Sequence, residues 1–183
     1  MKKILISGLG GSLFPYLHDK LKRTYELFYI DLDPELAKLY KDYNFYPAPA
    51  VLDEYYEDFV EGILRKYSID IYIPLIDEEI KKAHQVKKLF PNLLLIVPTL
   101  KFSELCLNKD KLMHKLSELN ISKIETKLGN ELTENEKFPV FVKPIHGRGS
   151  RGIRIINSLK EFDAYLLLDG YSANEVIVQD YIQ

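Results

Sequence analysis

Between Lys143 and Arg154 the sequence sets four cations, Lys143, Arg148, Arg151 and Arg154, around three glycines, Gly147, Gly149 and Gly152. The whole chain carries a formal net charge of −2, so this local excess belongs to the segment and not to the composition. Glycines leave a turn without Cβ atoms, and its backbone N–H groups can then approach a ligand closely. Such donors beside a fixed lysine suit a polyphosphate. Val140, Phe141 and Val142 before the turn, and Ile153, Ile155 and Ile156 after it, are strand formers. The segment therefore predicts a strand, a glycine turn and a second strand. A tight hairpin with a solvated basic tip fits the same residues. Two familiar phosphate motifs do not. A P-loop carries its lysine after the glycines, where a helix begins, whereas Lys143 precedes them and a strand follows. A kinase-type loop also joins two strands, but the sequence has no Asp-Phe-Gly and no catalytic-loop signature.

A second glycine cluster, Gly8-Leu9-Gly10-Gly11-Ser12-Leu13, stands near the N-terminus. Asp31 and Asp33 follow about twenty residues later, where the ribose-binding acid of a dinucleotide fold would stand. Leu13 occupies the place of the third glycine of that fingerprint. A dinucleotide-dependent oxidoreductase is one reading; a plain strand-to-helix turn is another. Asp77, Glu78 and Glu79 follow Ile73-Pro74-Leu75-Ile76, at the C-terminal end of a predicted parallel strand. Open α/β sheets place ligands there. The same acids at a helix start would also suit the positive end of its dipole. His18, His84, His114 and His146 are dispersed, which argues against a histidine metal cluster. The only cysteine, Cys106, excludes an intrachain disulfide and reads as a small core residue. No nucleophile or general base can be named, so the catalytic residues stay unknown.

The elements that must position these residues follow from periodicity. A chain of 183 residues allows one or two domains, and 46% hydrophobic with 28% charged residues is a globular composition. The longest apolar runs fall well short of the roughly 18 residues of a membrane span. The N-terminal seven residues lack the apolar length and cleavage site of a signal peptide, and near-neutral charge gives no argument for nucleic acid. A cytoplasmic protein with neither membrane nor nucleic acid as partner is expected. Strands are predicted at 3–7, 27–31, 45–50, 69–76 and 93–97, with helices at 13–23, 34–40, 54–67 and 77–90. That alternation predicts an α/β, Rossmann-like, doubly wound parallel sheet over residues 1–98. Beyond it come one helix over 102–119, a polar connection over 126–137, and the strand–turn–strand segment. A helix over 159–168, capped by Asn157-Ser158, and a strand over 175–182 complete a small α+β unit over 101–183.

Val142-Lys143-Pro144, then Gly147-x-Gly149-Ser150-x-Gly152, then a strand, resembles the ATP-grasp superfamily. The nearest likeness is to its carbamoyl-phosphate-synthase large-subunit-like branch. Asp110-Lys111, about thirty residues upstream of the Val-Lys-Pro, is similar to the Asp-Lys on that branch's entering helix. Pro74-x-x-Asp77-x-Glu79-Ile80 resembles a strand end near its acceptor substrate, and residues 175–182 resemble its adenine hinge strand.

The resemblance implies that 1–98 is a pre-ATP-grasp domain. That domain would bind no dinucleotide and would help form the substrate side, with Gly10, Gly11, Asp77 and Glu79. It implies that 101–183 is the N-terminal part of an ATP-grasp domain, incomplete at its C-terminus. Lys111 and Lys143 would hold ATP phosphates, with Asp110 positioning. Gly147, Gly149, Ser150 and Gly152 would form a lid that is mobile until phosphates order it. Gln179 or Asp180, with the backbone of Asp180 and Ile182, would bind adenine. The implied function is the ATP-binding part of a carboxylate–amine ligase acting on a small carboxylate through an acyl phosphate. A second subdomain, from the same gene or a separate chain, would supply the Mg²⁺ ligands, and this chain alone would be inactive. A non-catalytic nucleotide-binding module is the alternative.

Overall fold

The computed structural model describes residues 1–147 and 149–182. Arg148, one of the four cations singled out above, lies outside them. The chain forms two compact units, Met1–Leu100 and Lys101–Gln183. No helix among the described residues is long and apolar enough to cross a membrane.

In the first unit, strands β1 (Lys3–Ser7), β2 (Glu26–Asp31), β3 (Asn44–Pro47), β4 (Ile71–Ile73) and β5 (Leu94–Leu95) alternate with helices. The helices are α1 (Phe14–Leu21), α2 (Leu36–Leu39), α3 (Tyr56–Tyr67) and α4 (Glu79–Leu89). The strands run parallel in the order β3-β2-β1-β4-β5. The central strands are apolar throughout because both of their faces are covered. Successive side chains go to opposite faces. Leu5, Phe28, Ile30 and Tyr72 meet Val60, Ile63 and Leu64 of α3 and Ala83 and Val86 of α4. Ile4, Ile6, Tyr29 and Ile71 meet Phe14 of α1 on the other side. The predicted doubly wound parallel sheet is present.

Two of its strands are shorter than their apolar runs. β4 stops before Pro74, which has no N–H to donate, and the Leu75 N–H turns to Ser7 Oγ at 3.0 Å. β5 pairs over two residues, at the sheet edge. The strand order reverses between β1 and β4, so the crevice where such sheets take ligands lies outside the C-terminal ends of these two strands.

The second unit begins with two helices where one was expected over 102–119. α5 (Leu100–Leu107) and α6 (Lys109–Glu118) are separated by Asn108. Asn108 is extended (φ −105°, ψ 102°), and its side-chain oxygen accepts the Lys111 N–H at 2.9 Å. Asparagine offers the backbone a cap in place of another helical turn. The stretch read as a polar connection contains β6 (Thr126–Leu128), which precedes β7 (Val140–Pro144), β8 (Arg154–Ile156), α7 (Leu159–Asp169) and β9 (Val176–Asp180). The strands form an antiparallel sheet, β6-β9-β7-β8. Ser158 caps α7 by accepting the Glu161 N–H at 3.2 Å, as its sequence position predicts. Phe162 and Tyr165 of α7 pack on Val140, Val142, Ile156, Val176 and Val178. Directly paired residues share a sheet face. The pairs Phe141–Gln179, Thr126–Gln179 and Lys143–Ile177 therefore stand on the face away from α7.

Candidate functional site

Lys143 stands one residue before the end of β7 on that second face, with its ammonium 5.6 Å from the centroid of the Phe141 ring. An open cavity of about 290 Å³ surrounds it, and Lys109, Phe141, Gly147, Gly149, Ser150 and Arg151 contribute to the wall. No carboxylate lies in the wall among the described residues. Partial burial, and after it the Lys109 ammonium, push Lys143 below the ordinary lysine value. Two ammonium groups that repel each other in a partly dry pocket are stabilised by an anion placed between them.

The backbone beside them takes conformations that favour glycine. Gly147 (φ 120°), Gly149 (φ 65°) and Gly152 (φ 71°) are left-handed, and so is Ser150 (φ 57°). A Cβ would meet nothing at Gly147 or Gly149, so conformation alone calls for glycine there. At Gly152 a Cβ would also lie 2.7 Å from Tyr171 Oη and 2.8 Å from Pro144 Cγ. Both stems of the turn are anchored. Tyr165 donates its hydroxyl to Gly152 O at 2.8 Å. At the other stem, Lys109 Nζ donates to Gly147 O at 2.9 Å and the Lys109 N–H to Ile145 O at 3.1 Å. His146 Nδ1 lies 3.1 Å from Leu107 O. Among the described residues, nothing accepts the N–H groups of Gly149 and Ser150. Gly149 and Ser150 thus offer unclaimed donors between two anchored stems.

No family model matches the sequence, and no curated protein matches it. Solved structures match over its whole length. An L-amino acid ligase from Bacillus licheniformis superposes with a TM-score of 0.72 at 15% identity, the chain covering 44% of that enzyme. An N5-carboxyaminoimidazole synthetase from Staphylococcus aureus, complexed with ADP, gives 0.74 at 19% identity and 48% coverage. A biotin carboxylase from Campylobacter jejuni, in a β-γ-ATP complex, gives 0.70 at 17% and 45%. The chain shares the fold of these enzymes over its whole length, a parallel five-stranded sheet followed by a separate antiparallel sheet. The chain spans less than half the length of these enzymes.

Within this fold the structure gathers some of the sequence-predicted residues and separates others. Lys143, Gly147, Gly149 and Ser150 line one cavity, and Gly152 closes its turn. Lys111 is exposed and outside the cavity wall, and its N–H serves the Asn108 cap. The lysine that reaches the turn is Lys109, which reads in the sequence as an ordinary solvated charge. Gln179 is buried on the Lys143 face and donates to Thr126 Oγ1 at 2.7 Å. Asp180 is exposed and, by strand alternation, faces the other way. Ile182 lies beyond β9 and is 69% exposed.

The other predicted residues sit in the first unit, at the crevice between β1 and β4. Gly10 and Gly11 are exposed, but their N–H groups are taken. Gly10 donates to Asp31 Oδ2 at 3.0 Å and Gly11 to Gly8 O at 2.9 Å. Asp31 also accepts the Asp33 N–H at 3.0 Å. The acid a dinucleotide would need is thus engaged by the chain's own backbone, which counts against an oxidoreductase. Asp77 is exposed. Glu79 is turned inward and 2% exposed, with the Ser7 and Tyr56 hydroxyls donating to its two oxygens. Burial lifts its pKa to about 6, against the pull of those two donors. Nothing in the local sequence signals this burial, since an acid at a helix start is ordinarily solvated.

Proposed function

We propose that this chain is the ATP-binding part of an ATP-grasp ligase that activates a small carboxylate as an acyl phosphate, for attack by an amine or similar nucleophile. The observation that carries the reading is the cavity walled by Lys143, Lys109 and left-handed glycines, with no carboxylate among its described residues. Two ammonium groups, with unclaimed N–H donors opposite, fit a polyphosphate by charge and by hydrogen bonding. In that reading Lys143 and the N–H groups of Gly149 and Ser150 bind phosphate oxygens. Lys111 joins them once nucleotide is present. Phe141 gives the base an apolar neighbour, and Gln179, Asp180 and Ile182 provide the hinge that receives adenine. The substrate side falls to Gly10, Gly11, Asp77 and Glu79 in the first unit. ATP supplies the phosphoryl group: a carboxylate oxygen attacks the γ-phosphorus and ADP leaves, then the nucleophile attacks the acyl carbon and phosphate leaves. The protein's part in the first step is alignment and charge neutralisation.

Within the superfamily, the Asp110-Lys111 spacing and the wording around Pro74 and Glu79 favour the carbamoyl-phosphate-synthase-like branch. Residues 1–98 would be its pre-ATP-grasp domain and 101–183 the first part of its ATP-grasp domain. A second subdomain would bring the Mg²⁺ ligands and the other wall of the adenine pocket, so this chain by itself would bind nucleotide without turnover.

Calorimetric titration tests the reading with ATP, inorganic tripolyphosphate, adenosine and NAD⁺ in turn. ATP and tripolyphosphate should bind, and Lys143→Ala should abolish both. Binding of NAD⁺ that survives Lys143→Ala and is lost in a Gly10 variant would overturn it. Mg²⁺-dependent ATP hydrolysis well above the Lys143→Ala level would overturn the assignment of turnover to a second subdomain.

A further inference from the structure

We propose that Lys109 is a positioning residue for the glycine turn: its ammonium holds the carbonyl of Gly147 and thereby fixes the stem from which the N–H groups of Gly149 and Ser150 meet an incoming anion. The purpose assigned to the contact rests on the polyphosphate reading above, but the contact itself does not.

Three links join residues 107–109 to residues 145–147. The Lys109 N–H donates to Ile145 O at 3.1 Å, Lys109 Nζ donates to Gly147 O at 2.9 Å, and His146 Nδ1 meets Leu107 O at 3.1 Å. A fourth, longer approach brings Lys109 Nζ to 3.5 Å from Ile145 O. The first link pins the backbone of Lys109, so its side chain starts from a fixed point beside the turn. A lysine on an unanchored backbone would lose more conformational freedom on being held. The break at Asn108 makes Lys109 the first residue of α6 and brings it to this spot.

The carbonyl it holds matters for charge. A peptide oxygen turned toward a phosphate would repel it, and at Gly147 the backbone is free to rotate because no Cβ restrains it. An ammonium bonded to that oxygen offsets its partial charge and holds the Gly147 stem in one rotation. Lys109 and Lys143 also repel each other, so a bound anion is favoured over an empty cavity. Lys111, two residues further along α6, makes no contact with the turn among the described residues.

The test compares Lys109→Met, Lys109→Arg and Lys111→Met in the 183-residue protein. The first and last remove the same charge two residues apart. Backbone ¹⁵N order parameters of Gly147 and Gly149 are measured without ligand and with tripolyphosphate, and tripolyphosphate affinity by calorimetry. Against the expectation of a lid mobile throughout until phosphates bind, Gly147 should already be ordered in the ligand-free natural chain, with Gly149 ordering on tripolyphosphate. In Lys109→Met the Gly147 order parameter should fall toward flexible values, below about 0.6, and affinity should drop about tenfold or more. Lys109→Arg should restore the order, and Lys111→Met should leave it unchanged. Unaltered order in Lys109→Met, whatever its affinity, would overturn the proposal by reducing Lys109 to a charge near the site. Should tripolyphosphate fail to bind the natural chain, the polyphosphate reading falls, while the order parameters still decide the positioning role. Lys109→Gln, which keeps a neutral donor, replaces Lys109→Met if circular dichroism shows the methionine variant misfolded.

Discussion

Replacing Glu79 by glutamine should stabilise the first unit by about 2 kcal/mol at neutral pH relative to its effect at pH 4. Glu79 is 2% exposed, and its two oxygens accept the hydroxyls of Ser7 and Tyr56. Burial penalises the carboxylate more than those donors reward it, and the pKa rises from 4.5 to about 6. Tenfold in a proton-binding constant corresponds to about 1.4 kcal/mol, so a pKa higher by roughly one and a half corresponds to about 2 kcal/mol. The sign follows from linkage. The folded protein keeps this proton between pH 4.5 and about 6, where the unfolded chain has released it. The contribution of Glu79 to stability is therefore full below pH 4.5, falls as pH rises toward 6, and is lost above. Glutamine has the same shape and no proton to lose, so its stability omits this fall. The chain contains no tryptophan, and urea unfolding is best followed by far-UV circular dichroism, at closely spaced pH values from about 4 to about 8. The difference between variant and natural chain isolates Glu79 from every other titrating group. Difference curves that stay flat over that range would refute the argument, as would a Glu79 ¹³Cδ titration with its midpoint near the ordinary value of 4.5.

Three smaller perturbations follow from the second unit. Gly129→Ala would set a Cβ 2.7 Å from Ala173 O and 2.8 Å from Phe162 Cζ, and overpacking of that kind should cost about 1–3 kcal/mol in thermal unfolding. Asn108→Ala removes the acceptor of the Lys111 N–H and should cost about 1 kcal/mol, read from urea midpoints. Lys109→Met should raise the Lys143 pKa in an NMR titration of the side chain, yet leave it below the ordinary lysine value, because burial is the larger cause and persists.

Much of the fold was legible because it rests on local pattern. Residues 3–7 read as a strand and form β1 over the same five residues, since a strand buried on both faces is apolar at every position. The Ser158 cap was equally plain, because its physics lies within four residues. The break at Asn108 was hidden by apolar periodicity that continues across it, and it turned on one side chain competing for one N–H. β6 was missed because Thr126 and Lys127 carry no apolar alternation; the partner strand β9 makes them a strand. At the candidate site, the glycines and Lys143 were readable from residue type and spacing. Lys109 was not, because its distance from Gly147 is set by that break and by the Ile145 carbonyl, which lie far apart in the chain. The inward turn of Glu79 was invisible for a similar reason: its partners Ser7 and Tyr56 come from two other elements.

The two glycine clusters show why composition alone cannot say which loop takes an anion. In the first, Gly8 donates to Ile30 O at 3.1 Å, Gly10 to the Asp31 carboxylate at 3.0 Å and Gly11 to Gly8 O at 2.9 Å. A phosphate arriving there would have to displace Asp31 from Gly10, forfeiting a charge-assisted hydrogen bond of roughly 1.5–3 kcal/mol. It would then sit beside the displaced carboxylate, a like charge. In the second cluster, among the described residues, the N–H groups of Gly149 and Ser150 have no acceptor and the charged groups in the cavity wall are Lys109, Lys143 and Arg151. An anion displaces nothing there and relieves a repulsion. Both loops let a backbone come close, but the charges around them give opposite signs to what can approach, and the sign at Lys143 favours an anion.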